Sequence, residues 1–201
     1  MSMLIRRILL LGTPLLLVPL MVYHQTISPF EQPMAVFYLH IVLLFLFSLQ
    51  GVAGCLLTWN IHTPLAWVSR MALLLYIIGY GAFDTLSGIA ASLLIARLPT
   101  LDGAHVIWGD TVLPYLMHLG SISYMIGMSA AALALWRRGA PRAPLIILVL
   151  SALLLDKDHG GWEGVLVFGG FFLAALWLEL RFYRQGAQQA PQQATAYTEP
   201  A

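Results

Sequence analysis

The sequence predicts an all-α membrane protein: a polytopic bundle of six transmembrane helices with both termini in the cytoplasm. Three observations carry that expectation. Hydrophobic residues make up 60% of the chain and charged residues 9%, against about 25% charge in soluble domains, and the mean hydropathy is +0.82. The apolar residues fall in long runs that do not alternate, which favours helical spans over a β-barrel. The basic residues gather on alternate connections, as orientation in a bilayer requires.

The first span is expected at 5–23. "MSMLIRR" resembles a basic leader and an apolar core follows it. No small-residue cleavage site precedes "YHQTISPFEQP", so an uncleaved span is expected. The second span is expected at 34–57. Ser28, Pro29 and Glu31 form a helix-start pattern before it. The third is expected at 70–97. Thr63 and Pro64 form a second start signal, and "PLAWVSR" is expected as an interfacial turn with the buried helix beginning near Met71. The fourth is expected at 111–136 with Asp110 as its cap, and "LPTLDG" separates it from the third. The fifth, at 143–155, has thirteen residues and a reach of about 20 Å, short of a hydrocarbon core of about 30 Å. The sixth is expected at 163–182. Residues 1–184 thus form one transmembrane domain, with no room for a soluble one. The Gln-, Ala- and Pro-rich stretch 185–201 is expected to be a disordered cytoplasmic tail.

Ten lysines and arginines fix the orientation. Arg6, Arg7, Arg70, Arg137, Arg138, Arg142, Arg181 and Arg184 fall on one side of a six-span arrangement, and Arg97 and Lys157 on the other. The arginine-rich side is then cytoplasmic. Tryptophans at or near the span ends agree with an interfacial aromatic belt. The net charge of +1 gives no support to nucleic-acid binding. The single cysteine excludes an intrachain disulfide and a cysteine metal cluster. Expected partners are the lipid bilayer and either further copies of the chain or another membrane protein.

Ionisable groups inside spans are the functional candidates, because burying them in lipid is costly. Asp84 is the sharpest, and no lysine or arginine within the spans is available to pair with it. Tyr76, Tyr80, Asp84 and Ser87 recur at helical spacing, as do Thr111, Tyr115, His118 and Ser121, so both stripes are expected to face the interior. His40 and His118 lie at matched depths, about 9–10 Å below the starts of their spans. In the loop "DKDHGGWEG", His159 and Glu163 are four apart, and the short fifth span suggests a recessed position.

These residues make an outward-facing pocket of histidine and carboxylate groups. Asp84, His118 and His159 are its candidate catalytic groups. Tyr80, Ser87, Tyr115, Ser121 and Glu163 are candidate pocket residues. His40, His118 and Asp84 are candidate ligands for a divalent metal such as zinc. Such a site would activate water or relay protons, acting on a lipid or small solute. Haem between His40 and His118 would make the chain an electron-transfer subunit. A non-catalytic membrane partner, whose polar stripes only pack helices, uses the same residues without chemistry. Neither a zinc-protease motif nor a nucleophile elbow is present.

Overall fold

The computed structural model describes residues 2–97, 112–157 and 161–183. Six helical segments account for nearly all of these: α1 (Met3–His24), α2 (Pro33–Leu57), α3 (Pro64–Arg97), α4 (Leu113–Trp136), α5 (Arg142–Ala152) and α6 (Trp162–Tyr183). Among the described residues there is no strand. Five of these helices are long and apolar enough to cross a membrane, and α5, with 11 residues, is not. The expected tail at 185–201, the cap at Asp110 and the turn at 98–103 lie outside the described residues.

Local chemistry explains most of the boundaries. Thr63 caps α3, accepting a hydrogen bond from the Ala66 amide at 3.4 Å, and Pro64 occupies the first helical position. The expected interfacial break at "PLAWVSR" is not there. α3 runs unbroken from Pro64, because nothing in that stretch opposes helix and Ala66 and Ser69 are already buried. The expected start of α2 also moves. Ser28 closes a separate turn, accepting from the Gln32 and Glu31 amides, and Pro33 rather than Pro29 opens the helix.

Two ends of the bundle are defined by cross-links. At one end, Glu179 on α6 receives both Arg6 and Arg7 from α1, and the Arg6 guanidinium lies 4.1 Å from the centre of the Tyr183 ring. The Tyr183 hydroxyl donates to the Leu57 carbonyl at 2.6 Å, tying α6 to α2. Arg70 donates to the carbonyls of Thr58, Trp59 and Ile61 and closes the α2–α3 turn. At the other end, His24 of α1 meets His40 of α2, and His118 of α4 meets Asp156 beyond α5.

α3 and α4 make the most extensive helix pair. Their backbones approach closely at Gly120, where an added Cβ would fall 2.9 Å from the Tyr80 amide nitrogen. Glycine at such a crossing lets two helices gain dispersion contacts that lipid cannot replace. Large apolar side chains such as Phe45, Ile78, Ile126 and Leu173 point outward and are exposed. That is the inverse of a soluble protein's surface and suits contact with acyl chains.

Candidate functional site

The inward stripe of α3 is real. Tyr76, Tyr80 and Asp84 are each completely buried. Steps of four, four and three keep such a stripe within about 80° around a helix that turns about 100° per residue. Of the expected stripe on α4, Thr111 lies outside the described residues, and Tyr115, His118 and Ser121 do not share one buried face, for the same geometric reason. Successive steps of three drift by about 60° each, so the row spirals off the interior face. Ser121 is buried, with its hydroxyl donating to the Met117 carbonyl at 2.5 Å. His118 is half exposed, and Tyr115 points outward at 76% exposure.

Asp84 ends the regular part of α3, and Thr85–Ala90 follows as a π-helical segment. Extra residues per turn in such segments displace one face of a helix. Here the displaced segment carries Gly88 against the imidazole of His40. A Cβ on Gly88 would lie 1.9 Å from His40 Cδ2 and 2.2 Å from Cγ. No other residue leaves room for that ring.

His40 is consequently the junction of the site. Its Nδ1 lies 2.9 Å from the Val36 carbonyl, which can only accept, so Nδ1 carries a proton and donates it there. In the neutral ring, Nε2 is then a bare acceptor. It lies 3.4 Å from His24 Nε2 and 3.8 Å from Asp84 Oδ1. The two imidazoles meet edge to face, with centroids 5.0 Å apart. Among the described residues neither oxygen of Asp84 has a hydrogen-bond partner, although the side chain is wholly buried.

Above His40 lies a cavity of about 360 Å³. His24, His40 and Ser87 supply its polar groups, and Ile27, Val36, Phe83, Leu113 and Met117 supply apolar wall. Below Asp84 a buried polar and aromatic row continues. The Tyr76 and Tyr80 rings are 5.3 Å apart, Tyr76 and Tyr124 are 4.8 Å apart, and Gln50 Nε2 donates to the Tyr124 hydroxyl at 3.2 Å. Gln50, Tyr76 and Tyr124 are buried, and the Tyr76 hydroxyl and Gln50 Oε1 have no hydrogen-bond partner among the described residues.

The candidate residues therefore divide. Asp84, His40, Tyr80 and Ser87 belong to one connected region. His118 belongs to another. Its Nδ1 donates to Asp156 Oδ1 at 2.8 Å on the outside of α4. Glu163 is half-buried in the first turn of α6 and does not line the cavity. His159 lies outside the described residues. Among the described residues no three His, Cys, Asp or Glu side chains are placed to hold a metal. The expected ligand set of His40, His118 and Asp84 is thus not assembled, because His118 faces away to Asp156. Nor do His40 and His118 face a shared pocket as haem ligands would, since His118 is absent from the wall that His40 lines.

Three contributors lie outside the expected set of site residues. His24 falls at the very end of α1, where the sequence places a loop residue. Its partnership follows only from how the α1–α2 turn folds. Gly88 carries no chemistry of its own. Gln50 was visible as the lone amide in "FLFSLQGVAG" and marks the depth at which the polar row continues. Comparison with protein families, with characterised proteins and with solved structures finds no match for this chain.

Proposed function

We propose that this is a proton-linked integral membrane protein, in which protonation of the His40–Asp84 pair is coupled to occupancy of the adjoining cavity by a small, largely apolar solute. The supporting observation is the fully buried Asp84 carboxyl, which lies 3.8 Å from a histidine that itself lines the cavity. A carboxylate at such a position costs about 2.5–3.5 kcal/mol on insertion scales. A proton, on Asp84 or on His40, removes or balances that charge.

In this reading the two histidines and Asp84 form the proton's path. A proton reaching His24 from the cavity passes to the bare Nε2 of His40. The imidazolium then faces Asp84 Oδ1, and closing 3.8 Å to hydrogen-bond contact needs a shift of about 1 Å. Transfer leaves a neutral acid beside a neutral imidazole, the cheapest state in a low-dielectric interior. A solute in the cavity displaces water from His24 and His40. It thereby changes how easily the pair holds its proton, and by linkage the proton changes how tightly the solute binds.

The proposed orientation places both termini in the cytoplasm, with the cavity on the outer side. The end bearing Arg6, Arg7, Arg70, Arg137, Arg138, Arg142 and Arg181 is then internal. Six crossings fit this if α5 spans with help from its turns. His118, which Asp156 contacts, lies roughly 27 Å along α4 from Trp136, so Arg142 and Asp156 bracket most of a bilayer core.

The coupling is testable without a known solute. In a Cys55→Ala background, Ser87→Cys places one thiol in the cavity wall, and a benzyl methanethiosulfonate fills the space. Infrared spectra of reconstituted protein should show the Asp84 carboxyl band shifting on modification. A band indifferent to a filled cavity contradicts the coupling.

A further inference from the structure

We infer that the groove between α4 and α5 binds an anionic phospholipid, with an acyl chain along the groove and the headgroup phosphate among the arginines at its mouth. The groove has a volume of about 690 Å³, and Leu133, Trp136, Ile146 and Leu150 form much of its wall. Trp136, Ile146 and Leu150 are each more than half exposed. It runs from Ser129 to Trp136 on one side and from Leu150 to Arg142 on the other. That is about 10–12 Å along the helix axes, enough for the headgroup half of one acyl chain.

Charge selects the occupant. The basic residues at this end fall into two groups. Arg6 and Arg7 pair with Glu179, and Arg70 donates to three backbone carbonyls. Arg137 and Arg138 lie on the short connection between α4 and α5, Arg142 opens α5, and all three are exposed. No carboxylate among the described residues lies within ion-pair distance of them. The Arg142 guanidinium instead lies 5.9 Å from the centre of the Trp136 ring. Gly139, at φ +82°, turns the chain between Arg138 and Arg142, and Arg142 lines the groove itself. Arg181 adds a fourth cation, in a neighbouring pocket with Trp177 across the turn.

An apolar trough with unpaired guanidiniums at its mouth and a tryptophan at the level of the headgroups matches a phospholipid in both halves. The acyl chain takes the trough, and the phosphate takes bidentate donors from arginine. A zwitterionic lipid offers the same chain but cancels the charge. The site is independent of the cavity at His40, which opens at the opposite end of the bundle.

Tryptophan quenching tests this directly. The protein is reconstituted in vesicles containing either brominated phosphatidylglycerol or brominated phosphatidylcholine at matched mole fraction. The Trp136 signal is isolated by difference against Trp136→Phe. Preference for the anionic lipid should be about fivefold for each arginine engaged, and Arg137→Ala/Arg138→Ala/Arg142→Gln should abolish it. The same variant should leave quenching by phosphatidylcholine unchanged, which also shows that the fold is intact. Equal quenching by both lipids overturns the inference, as does a preference that survives the triple substitution. Trp136 shielded from both lipids overturns it too, by assigning the groove to a protein partner.

Discussion

Gly88 is the residue on which the site's geometry turns. A methyl group there meets not the flexible tip of a neighbour but the Cγ and Cβ of His40. Gly88→Ala should therefore force the ring away from Asp84 and cost about 1–3 kcal/mol by overpacking. Denaturant titration in mixed micelles would measure it. His40→Ala removes the ring that the methyl strikes, so adding Gly88→Ala to it should cost much less than in the wild type. Additive losses would show that the strain lies elsewhere. Asp84 was legible in the sequence because a carboxylate within an apolar run stands out whatever the fold. Gly88 was not, because its role is an absence of atoms that matters only once α2 is placed beside α3. His24 stayed hidden for a related reason, since its meeting with His40 depends on how the α1–α2 turn folds.

At the scale of the elements, α1 and α6 are clamped by a buried ion cluster. Arg6 is 6% exposed and Glu179 3% exposed, and π-helical segments adjoin both, at Ile8–Gly12 and Glu179–Tyr183. Glu179→Ala would leave the Arg6 charge buried without a counter-ion and should destabilise the bundle by about 3–5 kcal/mol. Pairing it with Arg6→Leu should recover most of that loss in the same unfolding assay. Helices are legible at this scale because hydropathy and turn residues report them directly, and apart from the start of α3 and the end of α5 the expected bounds lie within two residues of the helix ends. The start of α3 departs from the expected 70 because bilayer thickness does not limit helix length. A helix of 34 residues can exceed the bilayer core by tilting or by running into the interface. The α4 row departs from a stripe because successive steps of three drift around the helix, whereas an alternation of threes and fours does not.

For the whole molecule, the distribution of charge and of chemistry is polar. Arginines gather at one end, and the cavity with its two histidines opens at the other. Single cysteines introduced at Ser2 and at Ser28 in the Cys55→Ala background should label oppositely with an impermeant maleimide on intact cells. Ser28→Cys should react from outside, and Ser2→Cys only after lysis. Labelling of Ser2→Cys from outside would invert the orientation and turn the cavity inward. Between the two ends, Asp84, Tyr80, Tyr76, Tyr124 and Gln50 make a buried row that no helix needs for packing alone. Apolar residues of similar size would fill the same space without desolvating hydroxyl and amide groups. The most direct measurement is the infrared pH titration of reconstituted protein. The account predicts a protonated-carboxyl band that disappears in Asp84→Asn and whose titration midpoint moves in His40→Gln. A band unchanged by Asp84→Asn, or a midpoint indifferent to His40, would contradict it.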